Sequence, residues 1–106
     1  MLKINIKPLA RQDLLGIWQY TNEAWGDKQA DLYLQELDAA FKKLPNSPKI
    51  GRAIDEVREN MRLIPCKQHI IIYQIKADSI DVVRVLHKRM DIKRHAIQWT
   101  IKSEQV

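Results

Sequence analysis

The sequence predicts an α+β fold in which a small antiparallel sheet packs against an N-terminal helical hairpin, in the order β-α-α-β-β-β with a C-terminal tail. Three observations predict it. A short alternating segment opens the chain, two adjacent stretches repeat apolar residues at helical spacing, and three strand-like segments follow, separated by two-residue turn candidates. With 106 residues, of which 45% are hydrophobic, one domain spanning 1–106 suffices, and a chain of this size buries roughly two-thirds of its unfolded surface.

Leu2, Ile4 and Ile6 alternate with Lys3 and Asn5, which suits a half-buried strand that Pro8 ends. Proline is tolerated in the first turn of a helix, and Leu14, Ile17, Trp18, Thr21 and Trp25 then recur at helical spacing, giving a first helix over 9–25. Gly26 is placed to close it in the left-handed conformation and Asp27 to cap the next. Ala30, Tyr33, Leu34, Leu37, Phe41 and Leu44 define a second helix over 28–44. Pro45, Pro48 and Gly51 break the pattern, so 45–60 reads as a surface connection with at most a helical turn at 54–59. Strands are predicted at 61–66, 69–76 and 79–86, turning at Lys67-Gln68 and Ala77-Asp78. The third is apolar on nearly both faces, as a central strand is. The tail, 92–106, fits a helix through Ile92, Ala96 and Trp99 or a strand through Ile97, Trp99 and Ile101.

The net charge is +5, and residues 84–106 alone carry six basic and two acidic side chains. Such a patch attracts nucleic acid or an acidic protein segment, or serves only as a solvated face. Lysines interrupt the first residues, which therefore lack the apolar core of a signal peptide. No apolar run approaches the roughly 18–20 residues of a membrane span. The expected location is the cytoplasm.

Candidate chemistry is sparse. His69 and His87 fall on adjacent predicted strands with Arg62, Arg84 and Arg89 within reach, which permits an acid–base pair flanked by phosphate-binding arginines. The competing reading has each histidine hydrogen-bonded to backbone, one at a turn and one at a strand exit. The three histidines share no metal-ligand spacing, the glycines form no phosphate-cradling loop, and Cys66 has no nearby base and reads as structural. No catalytic set, metal or cofactor is expected. Asp91 is placed to cap a helix after Met90. Trp18, Trp25, Tyr33 and Phe41 follow the helical apolar stripes and are assigned to the core, although an aromatic face left partly open would suit a partner.

In order and spacing, "DLLGIWQYTNEAWG" (13–26), "QADLYLQELDAAFKKL" (29–44), "PKIGRAIDEVREN" (48–60), "MRLIP" (61–65), "HIIIYQI" (69–75) and "RVLHKRMD" (84–91) resemble the ParE toxins of type II toxin–antitoxin modules, within the ParE/RelE superfamily. The resemblance implies a cytoplasmic protein that inhibits DNA gyrase, arresting growth or stabilising plasmids, with no catalytic residues of its own. It also implies a ParD-like antitoxin with a ribbon-helix-helix domain, a hetero-oligomeric complex, and contact with operator DNA only through that complex. RelE-type relatives instead cut messenger RNA on the ribosome, using a basic cluster with a terminal Tyr or His. This chain has no tyrosine after Tyr73, and His87 is the residue that keeps that alternative open. Lys7 stands where the family often has Ser or Thr before the helix-starting proline, so weak capping is expected there. Charge and position nominate Arg62, His69, Arg84, His87, Lys88, Arg89, Lys93, Arg94 and Trp99 for contact with target or antitoxin.

Overall fold

The computed structural model describes residues 2–90 and 92. The expectations for Asp91, Lys93, Arg94, Trp99 and the rest of the tail lie outside the described residues. The elements are β1 (Lys3–Ile6), α1 (Pro8–Trp25), α2 (Asp27–Lys43), β2 (Arg52–Ala53), β3 (Met61–Cys66), β4 (His69–Ile75) and β5 (Ser79–His87).

Pro8 opens α1, and Lys7 supplies no side-chain cap, as its chemistry predicts. The Arg11 Nε–H donates instead to the Ile6 carbonyl at 3.0 Å, tying the first turn to β1. Gly26 joins the helices at φ 92° and ψ 169°, a positive φ that favours glycine. Its N–H donates to Asn22 O at 2.8 Å and its carbonyl accepts from Ala30 N–H at 3.1 Å, so one residue both closes α1 and starts α2. Asp27 is accordingly not the cap predicted for it. It is the first helical residue and makes no side-chain cap bond, but its charge stands at the positive end of the helix dipole.

The sheet order is β1-β5-β4-β3-β2. The meander β2 to β5 is antiparallel, whereas β1 runs parallel to β5 with Ile4 opposite Ile80, so the complete sheet is mixed. The apolar β5 thus has strands on both sides, as its composition predicts. Ile72 pairs with Arg84 and Tyr73 with Val82, which leaves Val83 unopposed as a β-bulge.

One sheet face packs Ile71, Val82 and Val85 against Ala10 and Ile17 of α1 and Leu37 and Phe41 of α2. The other face is also covered. Ile54, only 2% exposed, and the half-buried Val57 pack on Met61, Leu63, Ile70, Ile72 and Leu86. The 45–60 segment therefore differs from the predicted surface connection, because Ile54 and Val57 close the sheet face opposite the helical hairpin. The Val57 and Arg58 N–H groups both donate to the Ile54 carbonyl, forming the helical turn.

Tyr73 anchors that segment. Its hydroxyl accepts from Gly51 N–H at 2.9 Å and donates to the Pro48 carbonyl at 2.7 Å. Burial pushes the phenol pKa upward, opposed by the Gly51 hydrogen bond and the Arg62 charge. Replacing Tyr73 by Phe is expected to cost about 1–3 kcal/mol, because a buried donor and acceptor lose their partner together. A urea midpoint unchanged by the substitution contradicts this.

Candidate functional site

A groove of about 1040 Å³ runs between α1 and the β4–β5 hairpin and reaches the start of α2. Its floor is apolar, formed by Ile17, Val85 and Leu86, all buried. Gly16 forms part of the α1 wall, where an added Cβ meets nothing within 4 Å. Tyr20 and Trp25 project beside it, 73% and 74% exposed. Trp25 therefore departs from the core assignment: its stripe continues into the last turn of α1, where the groove rather than packed side chains lies alongside. Phe41 is buried as predicted. Trp18 is half-buried and donates its Nε1–H to Asp31 at 2.9 Å, pinning α1 to α2.

Asp13 and Arg84 line the groove between α1 and β5. The Arg84 Nε and Nη2 donate to the two Asp13 oxygens at 2.7 and 2.8 Å, and Val85 N–H donates to the same carboxylate at 2.9 Å. The side chains are 15% and 14% exposed. This fork-to-fork geometry is the strong form of the pair, and it holds Arg84 as a tie between helix and sheet.

His69 and His87 face each other across β4 and β5, paired in register, with ring centroids 5.4 Å apart at 75°. Tyr33 OH lies 2.6 Å from His69 Nδ1 and accepts from Gln68 N–H at 3.1 Å. The bond runs from the phenol to the ring when the neutral His69 carries its proton on Nε2, and from the ring to the phenol when the proton is on Nδ1. The His87 Nδ1 accepts from Arg89 N–H at 3.2 Å, which places the proton of its neutral ring on Nε2. Sequence reasoning brought these two histidines together correctly. Its alternative, that each bonds to backbone, describes His87 but not His69, whose partner is a side chain. Burial holds the His69 pKa below the usual imidazole range, the nearby His87 lowers it further, and Asp13 opposes both. Burial likewise raises Tyr33, with Gln68 opposing.

Arg62 is elsewhere. It pairs with Tyr73 whereas His69 pairs with Cys66, a separation of four residues or about 13 Å along the strand. Its Nη1 donates to the Lys49 and Gly51 carbonyls at 3.1 and 2.6 Å, a structural task. Lys88 and Arg89 are exposed in the turn after β5, beside the histidines. No cluster of three or more His, Cys, Asp or Glu able to hold a metal occurs among the described residues. Cys66 is half-buried, and its thiol pKa is raised by burial and by Glu36, against the pull of Lys67 and Lys43. No helix among the described residues is long and apolar enough to cross a membrane.

Tyr20, Tyr33, Gln68 and Met90 complete the groove without having been singled out for it. Tyr33 carried a usable signal, a hydroxyl on an otherwise apolar helical stripe, because a buried phenol needs a partner.

Comparison with known proteins agrees with this architecture. The sequence model of the family described as ParE toxin of type II toxin–antitoxin system, parDE, matches residues 4–92. The chain is 42% identical over 91 residues to Toxin ParE1 of Mycobacterium tuberculosis, covering 85% of this chain and 93% of that protein. It is 30% identical over 86 residues to Toxin ParE1 of Caulobacter vibrioides, covering 81% and 88%. A solved structure of the chromosomal ParDE system from P. aeruginosa superposes with a TM-score of 0.72 at 17% identity, over 82% of this chain and 96% of that one, and so shares the fold. The helical hairpin, the mixed sheet and the motif series thus have one common source, and the chain belongs to the ParE toxin family of type II toxin–antitoxin systems.

Proposed function

We propose that this ParE toxin acts in the cytoplasm by inhibiting DNA gyrase, without catalysis of its own, and that a ParD-like antitoxin with a ribbon-helix-helix domain neutralises it. The complex reaches operator DNA through the antitoxin. The observation that carries this reading is the disposition of the site's cations. Arg84 is engaged by Asp13 and Arg62 by backbone carbonyls, so among the described residues Lys88 and Arg89, exposed in the turn after β5, are the cations beside the histidine pair, fewer than the dense basic cluster with which RelE-type relatives cut RNA. The parDE description of the matched family supports the antitoxin partner.

The second reading, a RelE-type ribosome-dependent endoribonuclease, draws its support from the 5.4 Å approach of His69 and His87. Induced expression distinguishes the two. Gyrase inhibition is expected to arrest growth with relaxed plasmid DNA and intact messenger RNA, relieved by co-expression of a ParD-like antitoxin. Cleaved messenger RNA with normally supercoiled plasmid supports the alternative. Lys93, Arg94 and Trp99 are proposed to contact the target; ending the chain after His95, which keeps Lys93 and Arg94 but removes Trp99, is expected to abolish arrest while antitoxin binding persists, and undiminished arrest removes the role of Trp99.

A further inference from the structure

The end of the sheet where β3 turns into β4 and β5 runs out is cationic, and its backbone is tied down. Lys67 and Gln68 connect β3 to β4, Lys88 and Arg89 follow β5, and all four are exposed. Beside them His69 and His87 pair in register. One residue further out, the Lys88 N–H donates to the Gln68 carbonyl at 3.0 Å and stitches the two turns together. The Gln68 N–H donates to the Tyr33 hydroxyl at 3.1 Å. The Arg89 N–H donates to His87 Nδ1 at 3.2 Å, and the Met90 N–H to the His87 carbonyl at 2.9 Å. Three cationic side chains thus leave a short, hydrogen-bonded stretch of backbone. Glu36 stands 4.0 Å from Lys67 Nζ, but both side chains are exposed, and such a pair neutralises little. Among the described residues neither Lys88 nor Arg89 forms an ion pair.

Lys67 carries a second signal. It stands at φ 56°, in the left-handed region that suits glycine and asparagine better than lysine. A two-residue hairpin connection that begins with positive φ favours Gly, Asn or Asp at that position. A long cation held on unfavourable backbone points to use of the side chain rather than to folding.

We propose that this end of the sheet contacts the phosphate backbone of the duplex DNA that gyrase holds, with Lys67, Lys88 and Arg89 each neutralising one phosphate. This deepens the functional reading above and rests on it. The chemistry of the patch selects the partner. Lys, Arg and the Nε2–H of neutral His87 donate hydrogen bonds and offer no acceptor, which matches phosphate oxygens. Met90, 37% exposed, is the one large apolar side chain of these two turns, whereas a protein-binding surface needs a desolvated apolar centre. The bias continues along the chain, since residues 84–106 carry six basic and two acidic side chains. Phosphate contacts carry no base-sequence information, so this contact is separate from recognition of operator DNA through the antitoxin.

The test measures binding of the labelled intact toxin to gyrase alone and to gyrase already bound to duplex DNA, across a salt series. The DNA-bound form is expected to bind more tightly at low salt. Three phosphates make its log–log salt slope steeper by about 2.7, an extra loss of about fortyfold between about 50 and 200 mM salt. Lys88→Gln, Arg89→Gln and Lys67→Asn are each expected to reduce that extra slope by about one, with binding to gyrase alone unchanged. Asparagine tolerates positive φ, so Lys67→Asn is also expected to hold or raise the urea midpoint, which a purely structural lysine would lower. Equal affinity and equal slope for the two forms of gyrase, or an extra slope that survives all three substitutions, overturns this proposal and leaves gyrase inhibition standing. Tighter binding to structured RNA than to the same length of duplex DNA overturns it in favour of the endoribonuclease. Failure to bind gyrase in either form overturns the functional reading and this inference with it.

Discussion

Replacing Asp13 by Ala is expected to destabilise the toxin by about 3–5 kcal/mol, the cost of breaking a buried ion pair by removing one partner. The carboxylate receives the fork of Arg84 and the backbone N–H of Val85, and the two side chains are 14% and 15% exposed. Three hydrogen bonds between α1 and β5 disappear with it, and the Val85 N–H stays behind in a largely dry place. Against a total stability of about 5–15 kcal/mol for a domain, such a loss leaves a substantial unfolded fraction at growth temperature. Replacing Arg84 by Met, which retains much of the aliphatic stem, is expected to cost about as much, because Asp13 is then the stranded charge. The double replacement of Asp13 by Leu and Arg84 by Met is expected to cost less than the sum. Chemical denaturation of the four proteins measures the coupling, and strict additivity contradicts the assignment of Arg84 to a structural tie.

The second large effect is on binding rather than stability. Trp25→Ala removes a side chain that is 74% exposed, and substitutions at such sites change stability by no more than about 0.5 kcal/mol. If the antitoxin occupies the groove, the same change removes an aromatic anchor and costs about 2 kcal/mol or more of association, roughly thirtyfold in Kd. Phe41→Ala provides the contrast. Its ring is 3% exposed, so it is expected to lose about 3–5 kcal/mol of stability through the cavity it leaves. Equal antitoxin affinity for the Trp25→Ala protein and the unaltered toxin contradicts the docking surface.

Much of this organisation is legible in the residues because it is periodic. The two helices and the three long strands stand within about a residue of where the apolar spacing puts them. Features decided by distant pairing are not. Nothing local to Lys3–Ile6 says that the strand joins β5 in parallel, and the two exposed residues of β2 carry no apolar pattern at all. Ile54 looks like an isolated apolar residue in a Pro- and Gly-rich stretch until the open sheet face it covers is known. The site divides the same way. His69 and His87 could be brought together from strand order alone, because adjacent strands of a short hairpin must align. Tyr33 belongs to that cluster through a contact 36 residues away, and Asp13 meets Arg84 across 71. Trp25 misleads for a different reason: it continues a buried stripe past the point where anything packs on it.

The central claim, that this ParE toxin works by inhibiting gyrase rather than by cutting RNA, is tested most directly by incubating the purified protein with purified gyrase and relaxed plasmid, and in parallel with translating ribosomes. The account expects supercoiling to fall with increasing toxin and to recover on adding antitoxin, with His87→Asn toxin equally inhibitory and ribosome-bound messenger RNA intact. Full supercoiling activity at micromolar toxin, together with messenger RNA cleavage that drops about 10²–10⁴-fold in the His87→Asn protein, as removal of an acid–base group requires, contradicts it.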